Sequence, residues 1–300
     1  MPETRSGFRS GMVAMAGRPN VGKSTLLNRV LGQKISIVTR KPQTTRQRIL
    51  GILTRADAQI VFVDTPGIHR GERSALNRYM NRAARESLED ADLALLVVEA
   101  GQWTDADDLA LEWIRRAGVP VALAVNKIDR VRPRERLLPF LDEAARRADF
   151  RFLVPLSART GDNLAALLDE LAAALPAGPA LFPEDQITDR SERFLAAELI
   201  REQLMNMLHQ EVPYGLAVEV ERFEAEDAER VRIGAVIWVE REAHKAIVIG
   251  RGGEALKRIG RAARLQIAEA LGCRVHLDLW VKVKEGWTDR PGAIQQFGYE

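Results

Sequence analysis

The sequence predicts two domains of different class: an α/β domain with a mostly parallel sheet and helices on both faces, then a smaller α+β module. Three observations carry this. Short apolar runs alternate with amphipathic helical stretches from residue 11 to 175, the pattern of a parallel sheet covered on both sides. The first run leads into Gly17-Arg18-Pro19-Asn20-Val21-Gly22-Lys23-Ser24, a match to G-x-x-x-x-G-K-[ST]. After residue 192 the order becomes one helix, two strands, two helices and a strand.

Size and composition agree. The chain's 300 residues are enough for two separate cores. Apolar residues make up 46% and charged residues 29%, an ordinary water-soluble composition. No run approaches the length of a membrane span, and MPETRSGFRSG has no apolar signal-peptide core. The single cysteine, Cys273, excludes an intrachain disulfide framework and a cysteine-based zinc cluster. A reducing cytoplasm is the expected setting. Net charge is only +2, so any nucleic-acid surface must come from local clustering.

Taken in order, residues 11–16 are short and apolar, as a buried parallel strand should be. Residues 23–32 place Leu26, Leu27, Val30 and Leu31 at helical spacing, with Gly32 as the stop. Residues 33–47 are polar and basic, a long loop. Two paired strands follow at 48–53 and 59–63, then a charged loop at 68–75 and a helix through Leu76, Met80, Ala83, Ala84 and Leu88. Strands are expected at 92–98, 119–125 and 150–156. Helices are expected at 105–117, 134–148 and 162–175, the first of them with Leu109, Trp113 and Ile114 on one face. Residues 176–192 carry three prolines and a glycine without either periodicity. The expected division is therefore a first domain over 1–178, a linker over 179–192 and a second domain over 193–300. The second domain reads as helix 191–209, strands 215–224 and 230–240 joined by the acidic turn 224–229, a helical pair around 250–253, and strand 274–284.

The loop at 17–24 can cradle phosphates with its backbone N–H groups, while the helix dipole behind it favours anions. Lys23 can reach the β- and γ-phosphates, and the Ser24 hydroxyl can take a Mg²⁺ position. Asp64-Thr65-Pro66-Gly67 ends the strand before it: the carboxylate suits Mg²⁺ through a water, and the Gly67 N–H can approach a γ-phosphate. Alone, that tetrapeptide marks only a turn. Asn126-Lys127-Ile128-Asp129 ends another strand, and the Asp129 carboxylate can accept from guanine N1–H and N2–H₂, a donor pair that adenine lacks. Such a site can reject the wrong base by roughly 10⁴-fold. The Lys127 stem can lie on the base face. Ser157-Ala158-Arg159 would bring a backbone N–H toward guanine O6.

These elements resemble the G1, G3, G4 and G5 boxes of the translation-factor-type P-loop GTPases. The phrases GRPNVGKSTLLN, which carries the box through Thr25, QTTR and VDTPGIH narrow the resemblance to the Era family of bacterial GTPases. The resemblance implies GTP and GDP as ligands, with Mg²⁺ held by Ser24, Thr45 and Asp64. It makes residues 43–47 the first nucleotide-sensing loop, in which one of the paired threonines, Thr44 or Thr45, closes on Mg²⁺; Thr45, next to Arg46, is taken here over Thr44. Lys23, Thr45 and Gly67 are then the residues expected to act in hydrolysis. Where Ras-like proteins place a water-orienting glutamine, this chain has Ile68, which can neither orient nor polarise water, so slow intrinsic turnover is expected. Asn20 matches an asparagine that ligates K⁺ in some relatives; it serves either that role or a loop-shaping hydrogen bond.

In the second domain, Gly250-Arg251-Gly252-Gly253 is a G-x-x-G turn between two helices. Such loops let a nucleic-acid backbone approach closely in KH domains, although tight helical turns also use glycine. Between 241 and 284 ten basic residues face four acidic ones, a local +6 in a near-neutral chain. Lys245, Lys257 and Arg258 flank the turn and complete the candidate RNA surface. Trp238 and Trp280 are expected in the core or an interface. The helix and strand order, the G-x-x-G and the closing WVKVKEGW resemble the C-terminal KH domain of the same family. The implied whole is an α/β P-loop GTPase domain followed by an α+β KH-type domain. By the same resemblance it is a monomeric switch that binds the single-stranded 3′ region of 16S rRNA in small-subunit assembly, cytoplasmic with some association at the inner face of the membrane. The alternative is a GTPase whose C-terminal module docks a protein.

Overall fold

A computed structural model describes residues 7–67, 74–227 and 229–299. Ile68 and the loop expected from residue 68 onward lie outside the described residues as far as residue 73. The chain forms two compact units.

The first unit holds strands β1 (Arg9–Ala16), β2 (Ile49–Thr54), β3 (Ala58–Asp64), β4 (Leu93–Glu99), β5 (Val121–Asn126) and β6 (Leu153–Pro155). Their order across the sheet is β2-β3-β1-β4-β5-β6, antiparallel only between β2 and β3. Helices α1 (Lys23–Leu31), α2 (Ala75–Glu89), α3 (Asp105–Ala117), α4 (Leu137–Ala145) and α5 (Leu164–Ala174) connect them. All seven residues of β3 and all six of β5 are buried, which explains their unbroken apolar runs. β6 is regular over three residues only, yet its ladder continues: Arg151 N–H reaches Val121 O at 2.8 Å and Leu156 N–H reaches Val125 O at 2.8 Å.

Local signals position these elements. In α3, Asp107 accepts from the Thr104 N–H at 2.9 Å, and Asp105, Asp107 and Asp108 complement the helix dipole. Its buried face is Ala110, Leu111 and Ile114, with the expected Leu109 and Trp113 only partly buried at the margin. The expected helix at 134–148 is shorter: a 3₁₀ turn at Arg134–Arg136 precedes α4, and Pro139 fits in the first turn, where N–H groups have no helical partner.

The stretch expected as a linker is not slack. Gln59, fully buried, accepts from the N–H groups of Leu181 (2.7 Å) and Phe182 (2.9 Å) and donates to Phe182 O (2.9 Å). Further on, the Ile52 N–H reaches Ile187 O at 2.7 Å, and the Leu50 N–H reaches Asp189 Oδ1 at 3.0 Å. Residues 181–189 therefore cover the open edge of β2, and the first unit extends to Asp189. The proline-rich composition fits such an edge cover as well as it fits a tether.

Among the described residues, the second unit contains 37–44 and 74–79 as well as those from 190 onward, so two short segments within the first domain's sequence pack with it. Its elements are α6 (Glu192–Met207), β7 (Ala217–Asp227), β8 (Arg230–Val239), α7 (Glu242–Ile249), α8 (Glu254–Leu271), β9 (Arg274–Val283) and α9 (Pro291–Gln296). β7 is antiparallel and β9 parallel to the central β8. Ile233, Ala235, Ile237 and Val239 of β8 point to one face, where they pack with Ala196, Leu199, Ile200 and Leu204 of α6 and Ile259, Ala263 and Ile267 of α8. The opposite face holds Trp280, half exposed over Gly234, and Trp238, whose ring lies beneath the ammonium groups of Lys282 and Lys284. Neither is a core residue. The buried tryptophan is Trp287, whose Nε1 donates to Gly215 O at 3.0 Å and whose ring packs against Phe297 and Tyr299.

Candidate nucleotide and nucleic-acid sites

The polar motifs of the first unit all fall at carboxyl ends of strands, where ligands sit in open parallel sheets. The loop after β1 turns through Gly22, whose φ is 107° and whose Cβ would lie 2.3 Å from Asn126 Nδ2, so only glycine fits there. Lys23 is 7% exposed, and its ammonium donates to Gly17 O (2.8 Å) and Arg18 O (3.1 Å), which lays it across the loop. Burial pushes its pKa down to about 8, with Asp64 and Asp107 pulling the other way and Arg18 adding to the fall. Arg18 turns away from the loop, with Nε donating to Asp107 at 3.1 Å. Val21 is buried, and Thr25 follows in the first turn of α1.

Asp64, at the end of β3, gathers hydroxyls. Its Oδ2 accepts from Ser24 Oγ (2.8 Å), Ser36 Oγ (2.8 Å) and Thr45 Oγ1 (3.4 Å), and Ser24 and Thr45 lie 3.1 Å apart. Its Oδ1 is buried and has no hydrogen-bond partner among the described residues. Burial raises the carboxyl pKa, against the Lys23 charge and the three hydroxyl bonds. A carboxylate and hydroxyls are hard oxygen donors of the kind Mg²⁺ prefers, and the orphaned Oδ1 leaves a lone pair for a cation or its water. The donor set fits Mg²⁺. Thr45 is part of this cluster and Thr44 is not. Sequence alone does not single out Ser36: an isolated serine in a polar loop carries no motif, and only its contact with Asp64 reveals it. Thr65 Oγ1 donates to Met15 O at 2.9 Å, tying this turn to β1, and Gly67 abuts Pro19.

Asn126 is a hub. Its Nδ2 donates to Val21 O (2.8 Å), while Oδ1 accepts from the N–H groups of Lys127 (2.8 Å) and Ala158 (2.9 Å). Three separate motifs are thereby locked together by one side chain that is 2% exposed. The Ala158 N–H donates to Asn126 Oδ1, which ties the motif at 157–159 to the one at 126–129. Lys127 Nζ bonds Asn20 O (2.6 Å) and Glu99 (2.7 Å), so its stem is held in place beside the loop. Asp129 Oδ1 accepts from Ser157 Oγ at 2.7 Å, and Oδ2 pairs with Arg159 at 2.7 Å. Burial pushes the Asp129 pKa up, but the Ser157 bond and the Arg159 charge outweigh it and hold the carboxyl below its ordinary value. It is therefore ionised and ready to accept.

In the second unit, the turn at 250–253 joins α7 to α8, with φ of 71° at Gly250, 59° at Gly252 and 81° at Gly253. Arg251, Lys257 and Arg258 are exposed, and none forms an ion pair among the described residues. Lys245 is 3.9 Å from Glu242. Ile247, half exposed on α7 three residues before the turn, adds an apolar surface that charge counting does not find.

Comparison with known proteins agrees with this geometry. Residues 12–127 match the family model of a 50S ribosome-binding GTPase, and residues 211–288 match that of a KH domain. A GTPase Era from Stenotrophomonas maltophilia is 56% identical over 97% of both chains, and one from Xanthomonas axonopodis pv. citri is 55% identical over the whole of both. A crystal structure of Era in complex with MgGDPNP and nucleotides 1506–1542 of 16S ribosomal RNA superposes with a TM-score of 0.93 at 41% identity, covering 97% of this chain and 99% of that one. A variant of Aquifex aeolicus Era bound to GDP·AlF4⁻ gives 0.92 at the same identity, with the same shares of the two chains covered. With both domains matched in order and more than half of all positions identical along the full length, the chain belongs to the GTPase Era family.

Proposed function

We propose that this chain binds GTP with Mg²⁺, hydrolyses it to GDP and phosphate, and binds the single-stranded 3′ region of small-subunit ribosomal RNA in assembly of that subunit. The observation that carries the nucleotide half is the convergence of Ser24 and Thr45 on Asp64 beside the laid-over Lys23. Support for the RNA half comes from Arg251, Lys257 and Arg258 at the G-x-x-G turn, which form no ion pair among the described residues, and from the relative crystallised with 16S rRNA.

In this reading Ser24 and Thr45 hold Mg²⁺, and Asp64 holds it through a water. When bound, the metal would supply positive charge to the phosphates. Lys23 adds a second charge, and the Gly67 N–H donates to the γ-phosphate. The backbone of 17–22 cradles the phosphates, and Asp129 reads the guanine edge while Lys127 lies along the base. Hydrolysis removes the γ-phosphate and with it the contacts of Thr45 and Gly67, which is how a switch resets. Arg251, Lys257, Arg258 and Lys245 take RNA phosphates, with Gly250, Gly252 and Gly253 allowing close approach. A monomeric state and peripheral membrane association belong to the same reading on family resemblance alone. Among the described residues no helix is long and apolar enough to cross a membrane.

The test is binding of a labelled RNA from the small-subunit 3′ end. Affinity with a non-hydrolysable GTP analogue is expected to exceed that with GDP by about fivefold or more. Equal binding of that RNA and a scrambled one, in either nucleotide state, would return the second domain to protein docking.

Asn20 gives a separate prediction. Its φ is 65°, and its carbonyl accepts from Lys127, so it already shapes the loop. If its side chain also ligates K⁺, exchanging KCl for NaCl lowers turnover, and Asn20→Ala removes the difference. Equal rates in the two salts leave Asn20 as a loop-shaping residue.

A further inference from the structure

Residues 37–44 lie in sequence between two residues of the Asp64 cluster, Ser36 and Thr45, yet they pack as part of the second unit. Ile37 is 1% exposed in that unit's core. The Val38 N–H donates to Glu202 Oε1 at 2.8 Å. The Lys41 ammonium donates to the carbonyls of Met205 and Leu208, where the end of α6 leaves C=O groups without helical partners. The Thr44 carbonyl accepts from the Arg201 guanidinium. Arg201 is 1% exposed and gripped bidentately by Glu198, with Nε to Oε1 at 2.7 Å and Nη2 to Oε2 at 2.6 Å.

The Thr44 carbonyl and the Thr45 N–H belong to one peptide plane, and that plane does not twist. An anchor on the Thr44 oxygen therefore restrains the direction in which the Thr45 Cα leaves the plane. With that plane restrained, the φ and χ1 of Thr45 do most of the aiming of its hydroxyl. A fork held at both ends suits this task better than a single ammonium, because one guanidinium satisfies Glu198 and the Thr44 carbonyl together.

We propose that Arg201, held by Glu198, is a positioning residue for GTP hydrolysis: through the Thr44–Thr45 peptide it sets Thr45 Oγ1 for Mg²⁺. The proposal rests on the reading of Thr45 as a metal ligand. It makes α6 of the second unit part of the apparatus that distinguishes GTP from GDP, since only the triphosphate state uses Thr45. A rearrangement of α6 that moves Arg201 would then alter nucleotide preference through its bond to the Thr44 carbonyl.

The experiment uses the full chain. Arg201→Lys keeps the charge and loses the fork. Glu198→Ala with Arg201→Ala removes both partners, so neither charge is left buried alone. Each is expected to lower kcat and the preference for a Mg²⁺-bound non-hydrolysable GTP analogue over GDP by about tenfold. GDP affinity should stay within about twofold of wild type, and thermal melting should show a folded protein. In a Thr45→Ala background the same changes should cost nothing further, because the residue they act through is gone. Additive losses in that background, an equal fall in GDP affinity, or wild-type preference in both variants would overturn the inference. Wild-type preference in Thr45→Ala itself would instead overturn the reading of Thr45, and the inference with it.

Discussion

Asp129→Asn is expected to lower GTP affinity by about a hundredfold or more while leaving the protein folded. Two charge-assisted hydrogen bonds from guanine N1–H and N2–H₂ are lost or reversed, each worth about 1.5–3 kcal/mol, and every 1.4 kcal/mol is about tenfold. The fold should survive because the hub that joins the three motifs is Asn126, not Asp129. An asparagine oxygen can still accept from Ser157 Oγ, and Arg159, mostly exposed, can return to water. The new amide also presents a donor where the carboxylate only accepted. Xanthosine nucleotides carry a carbonyl at that edge and should bind the variant better than GTP does. Calorimetry with the two nucleotides reads the exchange, and circular dichroism verifies folding. A wild-type protein that binds ATP as tightly as GTP would show that residues 126–129 do not read the base.

What could be read in advance follows from what is local. The strands of the first unit are buried on both faces, so their apolar runs stand out, and the loop at 17–24 is contiguous. Motifs at 64–67, 126–129 and 157–159 each end a strand, and a parallel sheet necessarily gathers such ends at one edge. Partner assignments were not legible. Nothing in the sequence says that Asn126 takes the Ala158 N–H, or that Ser36 joins Asp64, because these contacts depend on loops closing in space. Residues 181–189 look like a tether because an edge cover needs backbone hydrogen bonds rather than a periodic apolar face. Residues 37–44 and 74–79 join the second unit through side chains such as Ile37 and Tyr79, the latter edge-on to Tyr299. Hydrophobic spacing reports that a residue is buried; it does not report in which core.

Arg251→Asp combined with Gly252→Asp is expected to weaken binding of single-stranded RNA by at least about tenfold without touching the nucleotide site. The two middle positions suit the purpose. Both are exposed, or nearly so, and a Cβ at Gly252 would meet no atom within 4 Å, whereas one at Gly250 would lie 2.7 Å from Ala255 Cβ. The cost at Gly252 comes from its φ of 59°, about 1 kcal/mol for an L-residue and eased for aspartate, which tolerates that region. Against a total stability of about 5–15 kcal/mol this leaves the domain folded. The electrostatic change is larger in effect. One cation is replaced by an anion and a second anion is added, a change of three charges at the turn where the backbone of the RNA must pass. Each lost phosphate contact should also flatten the salt dependence, by about 0.7 in the slope of log affinity against log salt for a single strand. GTP affinity and turnover should remain at wild-type values, because residues 17–25, 64–67 and 126–129 belong to the other unit. A melting curve accompanies the titration. A folded double variant that binds the RNA as tightly as wild type, with the same salt slope, would reduce the glycines at 250–253 to a helix-to-helix turn and assign the flanking cations Lys257 and Arg258 to solvent.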